Sequence, residues 1–397
     1  MVRDVLRGEM PRGVWALGFV SMFMDISSEM IHSLLPAFLV TVLAASTATV
    51  GLIEGIGEAT ASIAKLFSGR LSDRLGKRKA LTIVGYGLGA MSKPLFALAP
   101  TPSWILVARF SDRLGKGIRG APRDALIGDL VPVPLRGAAY GLRQSLDTVG
   151  AFAGPLLALA LMASFNDNFR LVFSLAVIPG MAAVILLVTA VREPVSAEAP
   201  KEVRAPIRWG ELGELGGQFW IIVALGAILT LARFSEAFLV LRARDAGLSS
   251  ALVPLVLVVM NVVYATSAYP IGAWSDRIDR RRLLAAGFLV PIMADVALAF
   301  APGVPVVMLG VALWGLHMGM TQGLLSALVT DAAPTPLRGT AFGLFSFAIG
   351  IALLTASLIA GFLWQSSGPA ATFLGGAAFA VAGLVGGFVL VVRARRS

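Results

Sequence analysis

Residues 129–142, DLVPVPLRGAAYGL, return as residues 331–344, DAAPTPLRGTAFGL, and this repeat decides the fold. Nine of the fourteen positions are identical, at an offset of 202 residues, which is about half of the chain. A second pair, GRLSDR at 69–74 and GAWSDR at 272–277, agrees at an offset of 203 residues. Two such halves predict a duplicated module. In an apolar chain, a duplicated module is typical of a transporter whose binding site lies between the halves.

The composition is that of an integral membrane protein. Hydrophobic residues make up 57% of the chain and charged residues only 14%, against about 25% in an average soluble domain. The first apolar run is long enough for a full span and contains Asp25 and Glu29, so we expect no cleaved signal peptide. There is no cysteine, which excludes disulfides and thiolate metal sites.

Hydropathy predicts about twelve membrane spans, numbered here in chain order. They begin near Gly13, Ala48, Ala80, Trp104, Ala139, Arg170, Gln218, Ser250, Leu283, Pro305, Thr340 and Ala370. The connections after even-numbered spans are basic, while most of those after odd-numbered spans carry no charge. By the positive-inside rule both termini are cytoplasmic, and the net charge of +10 reflects topology rather than a nucleic-acid partner. We expect an all-α membrane protein with a six-helix bundle at 1–191, a cytoplasmic linker at 192–216 and a second six-helix bundle at 217–397.

The loop after span two carries a family signature. Residues 69–79, GRLSDRLGKRK, resemble the G-x-x-x-D-R-x-G-R-K loop of the major facilitator superfamily, and residues 272–282 are a weaker copy. The resemblance covers the whole chain and implies two pseudo-symmetric bundles that alternate in access, with spans one, four, seven and ten lining a central cavity. The charges of this loop either hold one bundle against the other or only set the topology. The predicted gating residues are Gly69, Asp73, Arg74, Gly76, Lys77, Arg78, Asp276 and Arg277.

Span five contains Gly150-Ala-Phe-Ala-Gly154-Pro155, which resembles the G-x-x-x-G-P element of antiporters in this superfamily. Glycines four residues apart let two helices approach closely, and the proline removes a backbone donor and bends the span. The element favours an exporter, although helix packing alone also selects small residues at this spacing.

Span four is unusually charged for a membrane helix. Its charged residues include Arg109, Asp112, Arg113, Lys116, Arg119 and Arg123. At about 100° per residue the five cations fall on one face, roughly 120° wide. Buried charges cost a few kcal/mol or more each, so we expect this face to meet water, carboxylates or substrate rather than lipid.

Candidate partners for these cations lie in the same half of the chain. They are Asp25, Glu29 and His32 on one face of span one, Glu54 and Glu58 on span two, and Asp147 on span five. The resemblance places Asp25 and Glu29 close to Arg113 and Lys116. A carboxylate that alternates between a cation and a proton is a device for proton coupling, because its partner sets its pKa. The alternative is a permanent ion-pair network that fixes the packing of this half.

The second half is poorer in charge and predicts an adaptable wall for an organic substrate, although large apolar side chains are also ordinary core residues. The candidate wall residues are Arg233, Glu236, Asn261, Tyr264, Trp314, His317, Met318 and Gln322.

The sequence favours a proton-coupled exporter of small organic molecules, monomeric, in a bacterial-type inner membrane. Its partners would be the solute, protons and the lipid bilayer, with no cofactor and no bound metal. A second hypothesis is a carrier of an anionic solute or siderophore held by the span-four cations. A divalent metal carrier using Asp25, Glu29 and His32 is a weaker one, because only two histidines exist. A lipid flippase or a non-transporting receptor on the same fold stays open, whereas no motif for an enzyme is present.

Overall fold

The structure is a computed structural model and describes residues 10–75, 78–132, 135–192, 215–275, 280–333 and 338–393. All regular secondary structure in these ranges is helical. The helices of the amino-terminal half are α1 (Arg12–His32), α2 (Leu35–Thr41), α3 (Thr47–Leu75), α4 (Arg78–Leu98), α5 (Pro102–Leu130), α6 (Arg136–Ser164), α7 (Phe169–Leu175) and α8 (Val177–Ala190). Those of the other half are α9 (Gly216–Ala232), α10 (Ala237–Asp245), α11 (Leu255–Ser275), α12 (Arg280–Ala299), α13 (Val304–Ala332) and α14 (Arg338–Arg393), with a short 3₁₀ turn at Ser250–Leu252.

The helices match the apolar pattern of the chain. Among the described residues, eight helical segments are long and apolar enough to cross a membrane. The chain is therefore a multi-pass membrane protein. The helices α3, α5 and α12 do not meet this criterion, since α3 and α5 carry several charged residues and the apolar stretch of α12 is the shorter segment Ala285–Ala299. The long α14 is interrupted at Gly368, where φ is +85° and proline follows. A backbone conformation with positive φ is readily adopted only by glycine. Gly368 therefore lets the chain turn between two helical segments.

The chain divides into two compact units, of which the first comprises residues 1–34 and 60–205. In this unit α4 packs along α5, and α1 packs along α6 and α8. Its apolar core joins α1, α4, α5 and α8 through fully buried side chains such as Leu17, Met24 and Tyr86. Glycine permits the close α4–α5 contact, because a Cβ on Gly115 would lie 2.6 Å from the carbonyl oxygen of Gly85.

The second unit comprises residues 35–59 and 206–397. Here α11 packs on α13, α9 packs on α14, and α12 packs on both α13 and α14. The short helix α2 and the first half of α3 also belong to this unit, with α2 against α10 and Gly55 of α3 against Leu354 of α14. The second unit therefore contains the part of span two that carries Glu54 and Glu58.

Two arginines close helix ends that would otherwise leave carbonyl groups without donors. Arg170 donates to the carbonyl oxygens of Ala97 and Ala99, each at 2.8 Å, just after the end of α4. Arg242 donates to Leu298 at 2.8 Å and to Ala301 at 2.9 Å at the end of α12. Arg242 is therefore a buried residue of α10 that fixes the packing of α12.

Candidate functional site

Two carboxylates of α1 share one lysine of α5. Asp25 and Glu29 lie one turn apart on α1, and the charge of Lys116 acts on both of them. Arg119 is a second cation close to Asp25, and Arg113 is a second cation close to Glu29. The structure thus brings together the residues of spans one and four that the sequence pairs. Lys116 is exposed, whereas Arg113 and Arg119 are buried.

Helix α6 meets α1 at these same carboxylates. A Cβ on Gly150 would lie 2.6 Å from the carbonyl oxygen of Met22 and 3.0 Å from the Cβ of Asp25. A Cβ on Gly154 would lie 2.7 Å from the Cβ of Glu29. The G-x-x-x-G-P element therefore removes side-chain bulk where α6 crosses Asp25 and Glu29. Asp147, one turn before Gly150, is near enough for its charge to act on Asp25.

His32 extends the cluster by one further turn of α1. Its Nδ1 lies 3.4 Å from Oε2 of Glu29, and both side chains are largely buried. This distance is at the long limit of a hydrogen bond, so His32 adds a weak contact to Glu29 rather than a strong ion pair.

A buried lysine that was not among the predicted site residues pairs with Asp112 of α5. The Nζ of Lys93, on α4, lies 2.7 Å from Oδ1 of Asp112 and donates to Oγ of Ser28 at 2.9 Å. The Lys93 side chain is 1% exposed and the Asp112 side chain 5% exposed. This pair ties α4 to α5 and α1, and a single lysine inside the apolar run of span three was the only sequence signal for it.

A second charged chain lies nearer the carboxyl-terminal end of α5. Arg123 donates from Nε to Oδ1 of Asp124 at 3.0 Å and from Nη1 to Oγ of Ser21 at 2.9 Å. Arg143 donates to Asp147 at 2.6 Å, with its Nε 3.8 Å from Asp124. The chain of charges thus runs from α5 to α6 and ends on Asp147, the carboxylate that acts on Asp25.

The cations of α5 therefore have different surroundings along one helix. Arg109 is 2% exposed, and the guanidinium of Arg119 lies 4.8 Å from the centre of the Tyr86 ring on α4. Such a contact partly replaces the water that a buried cation loses. The predicted cationic face is thus mostly packed against protein, and Lys116 is its exposed member.

The carboxylates of span two, Glu54 and Glu58, belong to the second unit. Glu54 is 1% exposed, on a turn of α3 whose glycine neighbours Gly51 and Gly55 pack against α14.

In the second unit, polar groups gather around an interruption between α9 and α10. Arg233 follows the last residue of α9, and Glu236 precedes the first residue of α10. The charge of Arg233 acts on both Tyr264 and His317. Tyr264 donates to Oε1 of Gln322 at 3.0 Å, and Nδ1 of His317 lies 2.8 Å from the carbonyl oxygen of Gly287.

The larger wall residues are packed inside the second unit. Trp314 is 1% exposed and stands edge-on to Phe234, with ring centres 5.2 Å apart. Met318 is 7% exposed, Asn261 is partly buried and Gln322 is exposed. Of the predicted wall, Trp314, His317 and Met318 are thus buried, whereas the other polar members reach a surface at least in part.

The gating loops lie largely outside the described residues. This holds for Gly76, Lys77, Asp276 and Arg277, for the side chains of Asp73 and Arg74, for Gly69, and for linker residues 193–214. Arg78 is described, and its Nη1 lies 2.7 Å from Oδ2 of Asp129 at the end of α5. No group of three or more His, Asp or Glu side chains suited to a metal ion occurs in the part of the chain that the structure describes.

Known proteins resemble most of this chain. The sequence profile of the Major Facilitator Superfamily matches residues 17–241 and 235–397. An uncharacterized MFS-type transporter of Methanocaldococcus jannaschii is 33% identical over 94% of this chain and 93% of that protein. A gentisate transporter of Corynebacterium glutamicum is 28% identical over 80% of this chain and 73% of that protein. The multidrug resistance protein MdtH of Salmonella arizonae is 26% identical over 64% of this chain and 61% of that protein.

A solved structure shares the fold. A bacterial homolog of the human lysosomal transporter Spinster, in an inward-facing and occupied conformation, superposes with a TM-score of 0.77. The match covers 96% of each chain at 17% sequence identity, so it concerns the fold alone.

Proposed function

This chain belongs to the major facilitator superfamily, and on that premise we propose that it exports small organic molecules in exchange for protons by alternating access. It is a transporter family protein rather than an enzyme. The protein works as a monomer in a bacterial-type inner membrane, with no cofactor.

The proposed topology has twelve spans and both termini in the cytoplasm. Paired helices form three of the spans, since α1 continues into α2, α7 into α8 and α9 into α10 with short interruptions. The break at Gly368 divides α14 into spans eleven and twelve. The bundles are 1–191 and 217–397, joined by the linker 192–216.

The observation that carries the coupling proposal is that Asp25 and Glu29 share Lys116. A buried carboxylate whose neighbouring cations can be shared or exchanged is able to gain and lose a proton inside a membrane protein, because those neighbours set the stability of its ionised form. Because Gly150 and Gly154 pack against these two turns of α1, protonation of Asp25 or Glu29 changes the charge at the α1–α6 contact. Movement of α6 relative to α1 would then respond to the proton.

The proposal of export is supported by the G-x-x-x-G-P element and by the likeness to a multidrug resistance protein. Flux into reconstituted vesicles with an acidic interior tests it, because an exchanger takes up an external solute as protons leave. The probes are gentisate, an organic anion, and ethidium, an organic cation. Uptake of ethidium only with the imposed gradient supports proton-driven export. Uptake that is the same without the gradient contradicts proton coupling.

A second candidate is the transport of an organic anion, and the exposure of Lys116 favours it. An exposed lysine beside buried arginines offers a positive surface for a carboxylate. The likeness to a gentisate transporter agrees with this chemistry. Gentisate uptake by the wild type that is lost in Lys116→Ala, with no uptake of ethidium, would replace the first candidate by the second.

A further inference from the structure

Asp295 of α12 is a buried carboxyl group that the amino-terminal cluster does not use. It is 0% exposed, and neither of its oxygens has a hydrogen-bond partner. Among the described residues, Asp295 forms no ion pair either. An ionised carboxylate in such a place costs several kcal/mol or more, since neither water nor a counter-ion solvates it.

The surroundings of Asp295 join three helices at one point. A Cβ on Gly376 of α14 would lie 2.5 Å from Oδ2 of Asp295, 3.0 Å from the carbonyl oxygen of Ala232 and 3.1 Å from the Phe234 ring. Ala232 is the last residue of α9, so its carbonyl group is one of those that no intrahelical donor reaches. Both of these acceptor oxygens therefore lie within 3.0 Å of the same position beside Gly376, and a hydrogen held between them would satisfy both.

The charged groups on the helices around Asp295 interact with groups other than Asp295. Arg233 and Glu236 flank the interruption after α9, and the charge of Arg233 acts on Tyr264 and His317. On α13, His317 is bonded to the carbonyl oxygen of Gly287. Residues 370–383 of α14 contain no charged side chain, and neither do the other residues of α12 between 284 and 299. Arg242 of α10 binds Leu298, Ala301 and Asp245.

We propose that Asp295 is a proton-binding site, at which the carboxyl group donates a hydrogen bond to the carbonyl group that ends α9. The proton bridges α12 and the interruption between α9 and α10. Its loss would set a carboxylate against a carbonyl oxygen and so favour a different arrangement of residues 233–236. A hard divalent cation does not fit this place, because such ions take six or more oxygen ligands and the site offers one carboxylate and one carbonyl.

This proposal goes beyond the proposed function, since it places a proton in the second unit and does not depend on the solute. Infrared spectroscopy of the purified full-length protein at neutral pH tests it through the carbonyl stretch of a protonated carboxyl group. The variant is Asp295→Asn, which keeps the shape and a donor. The matched control is Asp167→Asn, because Asp167 is exposed in the α6–α7 turn and its φ of +59° suits asparagine.

We expect the protonated-carboxyl band of the wild type to be lost or reduced in Asp295→Asn and kept in Asp167→Asn. An unchanged band in folded Asp295→Asn overturns the proposal. Unfolding as a function of pH gives a second readout. The folded wild type keeps a proton that the unfolded chain releases above its ordinary carboxyl pKa, so stability falls as pH rises, by about tenfold in the unfolding equilibrium per pH unit.

Asp295→Asn has no carboxyl group at this position, so its stability lacks this dependence on pH. The ratio of its unfolding constant to that of the wild type should therefore fall about tenfold for each pH unit. Parallel pH profiles for the two proteins contradict the proposal. If Asp295→Asn does not fold, Asp295→Ala provides the same two comparisons without a buried polar group. Neither readout needs transport, so a failure here is distinguishable from a failure of proton-coupled export.

Discussion

Helices α5 and α13 are each 29 residues long, yet the side chains that they bury differ in chemistry, several being charged on α5 and most being apolar on α13. By the repeat, Asp112, Lys116 and Arg119 of α5 correspond to Trp314, Met318 and Thr321 of α13. Buried charges on α5 are held by partners on α1, α4 and α6, whereas α13 packs a tryptophan edge-on to Phe234. The duplication preserves helix length and order, while the chemistry of each half is specified independently.

This difference predicts which substitutions destabilise each unit. A buried ion pair adds little net stability, because desolvation offsets most of the attraction, but the loss of one partner is costly. In a packed aromatic contact, the loss of one side chain leaves no buried charge without a partner. Substitutions that remove single charges should therefore damage the first unit more than conservative apolar changes damage the second.

Lys93→Ala is expected to have the largest effect on stability. It leaves Asp112 buried without its partner and should cost about 3–5 kcal/mol of unfolding free energy. Adding Asp112→Leu should recover a large part of that loss, because the unpaired charge is gone. Thermal or denaturant unfolding of the purified protein measures both. The control is Lys65→Ala, an exposed lysine of α3, where we expect a change within about 0.5 kcal/mol.

If Lys93→Ala and Lys65→Ala unfold alike, the Lys93–Asp112 pair does not hold α4, α5 and α1 together. The contrast between α5 and α13 would then be one of composition without consequence.

Gly154→Ala is expected to have the next largest effect. The added methyl group would lie 2.7 Å from the Cβ of Glu29 and 2.9 Å from the carbonyl oxygen of Ile26. Overpacking of this kind costs about 1–3 kcal/mol. Gly120→Ala on α5 is the matched control, because nothing lies within 4 Å of its added Cβ and alanine is the better helix former by roughly 1 kcal/mol. Opposite signs for the two variants in one unfolding assay sharpen the account, and equal signs argue against a close α1–α6 contact.

Tyr264→Phe is expected to have the smallest effect, because it removes one partly exposed hydrogen bond to Gln322. We expect a loss of about 0.5–1.5 kcal/mol. The double variant with Gln322→Ala should lose little more than Gln322→Ala alone, since the two side chains share the same bond. Strict additivity in this double-mutant cycle would show that the bond does not form in the folded protein.

Much of the fold follows from the sequence alone. The family resemblance carried by residues 69–79 is confirmed by the match of the superfamily profile along the chain. The predicted span starts lie within about a turn of observed helix starts or, for the last span, of the break at Gly368, because hydropathy reports where apolar runs begin. Hydropathy does not report breaks inside an apolar run, so the interruptions after His32, Leu175 and Ala232 had no sequence signal.

Only part of the candidate site could be predicted from the sequence. Helical periodicity places Asp25 and Glu29 on one face, and the family resemblance turns that face towards Arg113 and Lys116. Periodicity does not identify a partner helix, so the contact of Gly150 and Gly154 with these carboxylates required the structure. Lys93 was not predicted, because a single lysine in an apolar run forms no periodic pattern with other charged residues. The assignment of Glu54 to the second unit depends on tertiary packing that no local pattern carries.

The central claim is that the Asp25–Glu29–Lys116 cluster couples transport to protons. The most direct test is uptake of ethidium or gentisate by vesicles with an acidic interior containing wild type, Asp25→Asn, Glu29→Gln or the exposed control Asp167→Asn. We predict at least about tenfold loss of gradient-driven uptake in Asp25→Asn or Glu29→Gln, a loss of more than 1 kcal/mol in coupling. Exchange of labelled for unlabelled probe without a gradient should continue, and Asp167→Asn should match the wild type. Full gradient-driven uptake in both Asp25→Asn and Glu29→Gln would contradict the claim.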